Sequence, residues 1–277
     1  MPSRGAAPLK SQQLPLTEAL ALGALQGPTE LLPISSSGHT TVVPWLLGWS
    51  YTRLDPELRK AFEVALHAGG GLALAGGMRE ELEQLLRAPR LLVLSQAPAA
   101  LAGYVLERPI EARLGTPAAV AAGLIAGGLA IAAADRRPQS RRHSDAGPRD
   151  ALWLGIAQAC ALFPGVSRGG ATLTAARALG FARADAQRLS RRVALPVMFG
   201  AASLKAARLR AGRLPAQLRA PFLAGALASF ASTLASWPLL QPADGEQALR
   251  PFAAYRITLG ALVLRRLWSA RSTTMGR

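Results

Sequence analysis

Apolar residues run along this 277-residue chain in long blocks separated by short polar stretches. The first block, Leu16 to Leu32, is interrupted at Pro33 and a serine cluster and resumes from Thr40 to Trp49. Ala61 to Met78, Leu91 to Leu106 and Thr116 to Ala134 follow, and then a basic linker, Asp135 to Arg149. Ala151 to Phe163 breaks at Pro164-Gly165 and resumes from Ala171 to Leu179; Val193 to Ala206, Pro221 to Leu240 and Phe252 to Trp268 complete the pattern. A helix needs about 20 residues to cross a bilayer. The two blocks broken by Pro and Gly are too short on each side of the break, and irregular backbone at membrane depth is tolerated only inside protein or along a cavity. They read as re-entrant helix-loop-helix pairs. The expected fold class is therefore all-α integral membrane, with six transmembrane helices and two re-entrant pairs in a single membrane domain over residues 1–277.

The pattern also repeats. Glu18-Ala19-Leu20-Ala21-Leu22-Gly23-Ala24-Leu25-Gln26 matches Asp150-Ala151-Leu152-Trp153-Leu154-Gly155-Ile156-Ala157-Gln158. With one gap, Leu32-Pro33 matches Phe163-Pro164, Ser36 matches Ser167 and Gly38 matches Gly169; further on, Val64-Ala65-Leu66 matches Val193-Ala194-Leu195. The halves are residues 14–135 and 149–270, each with one broken pair and three spans. Three is odd, so the second half enters the bilayer from the opposite side. That is an inverted-topology repeat, a class in which broken helices meet near the midplane to form a site.

Composition agrees. Half the residues are apolar and only 17% are charged, against about 25% in soluble domains. The mean hydropathy of +0.21 is modest because Ala and Gly supply much of the apolarity, and small residues are what closely packed membrane helices use. The net charge of +16 raises nucleic-acid binding as a reading. The arginines, however, sit between apolar blocks and not on one face, so no nucleic-acid partner is expected. They flank the blocks on both sides, which leaves orientation open. The single cysteine, Cys160, excludes an internal disulfide and lies in an apolar stretch, where packing is its expected role. Met1 to Gln13 shows no removable signal peptide.

The chemistry concentrates at the two breaks. The first reads Gln26-Gly-Pro-Thr-Glu30-Leu-Leu-Pro33-Ile-Ser35-Ser36-Ser37-Gly38-His39. Gln26 and Glu30 are four apart and share a helix face. An intramembrane carboxylate is expensive to bury and points to function. The hydroxyls offer nucleophile and phosphate contacts, and a serine needs an adjacent base or metal to attack; Glu30 and His39 are the nearby candidates. The second break reads Pro164-Gly165-Val166-Ser167-Arg168-Gly169-Gly170-Ala171-Thr172. Backbone N–H groups at a helix start bind anions and a guanidinium grips phosphate in bidentate fashion. The partner of Arg168 is then either an anion or one of the carboxylates Glu30 and Glu63. Glu63 and His67 share a face of the next span and read as support for Glu30 or a metal. Arg191 and Arg192 read as span-end residues whose heads reach the interface. Carboxylate, hydroxyls, arginine and Gly-rich backbone inside a membrane suggest a phosphate ester on a lipid, served by positioning and charge neutralisation.

These motifs resemble those of the bacitracin-resistance type of undecaprenyl pyrophosphate phosphatase. Gln26 and Glu30 look like the family's (Glu/Gln)-x-x-x-Glu, Pro33 to His39 its Pro-x-Ser-Ser-x-Gly-His, and Pro164 to Thr172 its Pro-Gly-x-Ser-Arg-Ser-x-x-Thr. Similarity continues through Phe62 to His67, Ala97 to Ala100 and Tyr255-Arg256-Ile257 with Gly260, so it covers essentially Leu16 to Leu267. The resemblance implies a multi-pass protein of the bacterial inner membrane that hydrolyses undecaprenyl pyrophosphate to the monophosphate, recycles the carrier lipid for peptidoglycan synthesis and confers bacitracin resistance. It implies a divalent cation, Mg²⁺ or Ca²⁺, at Glu30 and Gln26. Ser36 would be the nucleophile, with His39 as acid/base or as the alternative attacking group. Arg168 and Ser167 with Thr172 would hold the pyrophosphate, joined by Ser35, Ser37, Gly165, Gly169 and Gly170. Gly169 departs from the family pattern, which has serine there. A transporter or flippase of a phosphorylated polyprenyl lipid is the rival reading, because an inverted repeat with midplane breaks is also a transporter architecture. The sequence leaves oligomeric state open, a homo-oligomer included.

Overall fold

The computed structural model describes residues 13–136, 139–208, 214–239 and 249–275. Nearly all of the polar N-terminal segment, residues 1–12, thus lies outside the described residues. The described chain is helical: α1 Leu16–Leu31, α2 Ser36–Leu47, α3 Pro56–Gly77, α4 Arg79–Leu86, α5 Pro89–Leu114, α6 Pro117–Ala134, α7 Pro148–Cys160, α8 Arg168–Ala178, α9 Arg183–Arg208, α10 Ala216–Ala235 and α11 Arg250–Met275. Short 3-10 turns lie at Ser50–Arg53, His143–Asp145 and Trp237–Leu239. Among the described residues there is no strand, only a single bridge between Arg141 and Phe181.

Local chemistry starts these helices where it should. Proline opens α3, α5, α6 and α7, a position where its missing N–H costs nothing. Asp55 accepts from Glu57 N at 2.8 Å and Thr116 from Ala119 N at 3.2 Å, filling orphan donors of the first turn. Two helices, α6 and α10, are long and apolar enough to cross a membrane by length and composition. The surface is apolar elsewhere too: Leu101 and Val105 in α5 and Leu262 in α11 are exposed, as are Leu129, Leu223 and Leu227 in α6 and α10. The interior meanwhile holds Gln26, His39, Thr172, Arg177 and Arg256.

The helices approach through small residues. Helix α1 lies along α10, where Gly27 N donates to Ser232 Oγ at 3.1 Å and Ser232 Oγ donates to Gly23 O at 2.9 Å. A Cβ on Gly27 would collide with the Ser232 backbone. Helix α7 lies along α5, with Gly155 against Leu94 and Pro98, and α6 pairs with α11. Each broken pair is thereby braced by a helix from the other half of the sequence. At the linker, Arg141 clasps Asp150 at 2.9 and 2.8 Å and stacks 4.1 Å above Phe181. Asp135 accepts from Arg183 at 2.8 Å and from Leu249 N at 3.1 Å, and pairs with the buried Arg177 at 3.2 Å. Cys160, expected to pack, is instead exposed, because it ends α7 at the edge of the second break.

Candidate active site

The two breaks share one construction. Helix α1 ends at Leu31, Leu32 is extended, and Ser35 takes φ 80° before α2 begins. Its hydroxyl accepts from Gly38 N at 3.2 Å. In the second break Gly165 takes φ 87° and Ser167 φ 68°, and the Ser167 hydroxyl accepts from Gly170 N at 3.1 Å. Ser35 and Ser167 are the only non-glycine residues with positive φ among the described residues. Such a backbone is costly unless its surroundings hold it, and it concentrates at functional sites. This geometry corrects the sequence pairing. Ser167 corresponds to Ser35 and not Ser36, and Gly170, not Gly169, corresponds to Gly38, because the capping geometry and not the motif spelling sets the register. Ser36 is then the counterpart of Arg168, and each opens its helix. Both helices also start earlier than the apolar blocks implied, so the serine cluster and the Arg-Gly-Gly run are first turns.

These first turns converge on Glu30, whose side chain is 5% exposed. Arg168 Nη2 donates to Glu30 Oε1 at 2.5 Å. Ser36 Oγ donates to Oε2 at 2.8 Å and Gln26 Nε2 to the same oxygen at 3.1 Å. His67 Nε2 stands 3.6 Å from Oε2. A buried carboxylate requires this degree of pairing. Arg168 therefore does have Glu30 as its partner, across the two halves of the chain. Glu63 does not join them: it lies 3.4 Å from the Tyr51 hydroxyl and 3.7 Å from Lys60. Its relation to the site runs through its carbonyl, which meets His67 Nδ1 at 2.8 Å.

His39 is set apart from this cluster. It is buried, with Nδ1 2.7 Å from Ser35 O and Nε2 2.7 Å from the Tyr255 hydroxyl. A carbonyl can only accept, so Nδ1 carries the proton and Nε2 accepts from Tyr255. With both nitrogens occupied, His39 holds the first break in shape. Thr172 is likewise turned inward, its hydroxyl bonded to Arg168 O at 2.9 Å and to Ser190 Oγ at 2.5 Å. Ser35 and Ser167 cap their own helices, while Ser37 is exposed. Gly165 and Gly170 are backbone positions packed against Val120 and Arg256, whereas a Cβ on Gly169 would meet nothing within 4 Å.

Arg256, from α11, is the residue that holds the two breaks together. It is fully buried and donates to Pro33 O at 3.1 Å in the first break and to Gly165 O and Val166 O at 3.0 and 2.7 Å in the second. Gly123 O in α6 lies at 3.4 Å. The carbonyls left without helical partners at both breaks thus share one guanidinium. Sequence reasoning assigned Arg256 no role, although an arginine inside the Phe252 to Trp268 block carries the same signal that drew attention to Arg168.

A cavity of about 50 Å³ opens beside Glu30 and Arg168, walled by Leu74, Met78, Gln187, Ser190, Arg191 and Leu195 among others. Gln26 Oε1 is buried without a hydrogen-bond partner. With the Glu30 carboxylate and the Ser36 hydroxyl it offers the hard oxygen donors that Mg²⁺ or Ca²⁺ take. Among the described residues no group of three or more His, Cys, Asp or Glu surrounds it, so phosphate and water oxygens would complete such a shell.

Residues 19–262 match the family described as bacitracin resistance protein BacA. The chain belongs to this family. It is 40% identical over 272 residues to an undecaprenyl-diphosphatase of Geobacter sulfurreducens, covering 92% of this chain and 99% of the relative. Proteins of the same name from Geobacter metallireducens and Chromohalobacter salexigens are 39% and 36% identical, over 89% and 91% of this chain and 96% and 98% of theirs. The match spans both breaks, α9 and the first half of α11.

Proposed function

We propose that this protein is a membrane phosphatase that cleaves undecaprenyl diphosphate to undecaprenyl phosphate and inorganic phosphate, and so returns the carrier lipid to cell-wall synthesis. Family membership and the names of its full-length relatives support the reaction. The observation that carries it to particular residues is the contact of Ser36, Glu30 and Arg168, one hydroxyl and one guanidinium on the two oxygens of a single carboxylate. A binding protein has no need of a hydroxyl aimed at a buried base, which is what activates a serine.

In this proposal the terminal phosphate of the lipid draws Arg168 toward itself and leaves Glu30 Oε2 to take the Ser36 proton. Ser36 Oγ bonds to the terminal phosphorus as the bridging P–O bond breaks, and the lipid monophosphate departs with that oxygen. Water then attacks the phosphoserine, Glu30 returns a proton to Ser36 Oγ, and inorganic phosphate leaves. Glu30 and Gln26 would hold a divalent cation, which when bound neutralises phosphate charge. Ser167, Gly169 and Gly170 line the start of α8, where backbone N–H groups favour an anion.

We infer the finer architecture from the same features. The exposed leucines of α5, α6, α10 and α11 suit lipid better than water. Six spans with two re-entrant pairs, related as an inverted repeat in the bacterial inner membrane, accommodate the twin breaks and their cross-bracing. The test is phosphate release from a polyprenyl diphosphate by purified protein, with Mg²⁺ or Ca²⁺ and with chelator. Release that disappears in Ser36→Ala is the expected result; no release by the unaltered protein under any of these conditions sinks the proposal.

A further inference from the structure

One face of α9 borders the cavity without belonging to either break. Gln187, Ser190, Arg191, Ala194 and Leu195 line it, and their spacing of three and four is that of a single helix face. The polar members stand together in one turn, and Glu30, Arg168 and Gly169 line the same cavity. Ser190 is locked in place, donating to Gly169 O at 3.2 Å and sharing a 2.5 Å hydrogen bond with Thr172. Gln187 differs. It is 8% exposed, yet among the described residues its amide makes no hydrogen bond. Its side chain lines a cavity whose walls also carry Glu30 and two arginines. Arg168 pairs with Glu30 at 2.5 Å, and Arg191 places a second guanidinium on the cavity wall from a separate element.

We propose that Gln187 and Arg191 form a second phosphate-binding pole, so that the cavity holds both phosphates of a diphosphate headgroup and discriminates it from a monophosphate. The pole rests on the phosphatase reading for its role in catalysis, but its ligand chemistry, a diphosphate bridged between two guanidinium groups, stands on the cavity alone. Arg168 takes the phosphate that is cleaved, and Gln187 with Arg191 takes the one that stays on the lipid. After cleavage the product keeps only the α9 contacts, which favours its release over that of substrate.

Two measurements test this on the full-length protein in detergent. Binding of inorganic pyrophosphate and of inorganic phosphate is compared by calorimetry for the unaltered protein, Gln187→Leu, Arg191→Ala and Arg191→Lys. The unaltered protein is expected to prefer pyrophosphate, and Arg191→Ala to lose about tenfold of that preference, as one charge-assisted contact commands, with Arg191→Lys recovering part. Turnover of a polyprenyl diphosphate is then expected to show KM raised about tenfold with kcat changed less than about threefold. Unchanged pyrophosphate preference in both Gln187→Leu and Arg191→Ala, with thermal unfolding like that of the unaltered protein, overturns the pole. Pyrophosphate preference that depends on Arg191 in a protein with no turnover would keep the pole and sink the phosphatase reading instead.

Discussion

Ser36 Oγ donates to Glu30 Oε2 at 2.8 Å across the first break, from the opening turn of one helix to the closing turn of another. The arrangement gives the serine a base and leaves His39, closed off by Ser35 and Tyr255, without one. Ser36→Ala is therefore expected to lower phosphate release by about 10³-fold or more. His39→Gln is expected to lose less than about 10²-fold, below what removal of a general acid or base commonly costs. Steady-state assays of the two variants decide between them: an active Ser36→Ala beside a dead His39→Gln reverses the assignment.

Arg168 and Glu30 form a buried pair between the halves of the chain. Breaking such a pair from one side costs about 3–5 kcal/mol, because it strands a charge. Arg168→Met should destabilise the protein by that order, and Arg168→Met with Glu30→Gln by clearly less. Denaturant or thermal unfolding of the two single variants and the double variant gives the coupling; strict additivity would show that the contact does not join the halves.

Arg256 serves carbonyls of both breaks and of α6. Arg256→Met leaves several buried acceptors without a donor, at about 1–3 kcal/mol each. The expected outcome is a fall in unfolding midpoint larger than that of any single substitution in the cavity wall, read by thermal unfolding in detergent. Arg256→Lys keeps one charge and fewer donors, and should fall between.

Asp185 sits in the first turn of α9, ahead of its apolar part, and accepts from His143 N at 2.8 Å and the His143 ring at 2.7 Å. Burial alone would raise its pKa, but the His143 bonds outweigh that and hold it below the ordinary 3.8. A depressed folded pKa means that this stabilisation is complete at neutral pH and is lost as pH falls below about 4 through the folded value. The difference in melting temperature between the unaltered protein and Asp185→Asn should be constant from about pH 5 to 7 and shrink below about 4. A difference that grows on acidification contradicts the linkage.

Much of this site was legible in the sequence because its parts are locally coded. Proline and glycine mark the breaks, and a lone carboxylate and a lone arginine in apolar surroundings mark Glu30 and Arg168. The register between the breaks was read one residue out, since positive φ at Ser35 and Ser167 is a property of backbone and not of spelling. Helix α4, short and charged, had no apolar run to announce it. Arg191 looked like a span-end residue, and only the packing of α9 against α8 turns its face to the cavity. Tyr255 and Arg256 lie far along the chain from the atoms they hold, and sequence distance hides such contacts.

One side chain on α11 ties down Pro33, Gly165 and Val166 together. Parting the two breaks would tear those bonds at once. In the proposed reaction the headgroup would then reach Glu30 past the flank where Leu74 and Met78, at the end of α3, and Ala194 and Leu195 of α9 line the cavity. What would have to yield is then a wall beside the reaction centre, with the centre itself held in place by Arg256.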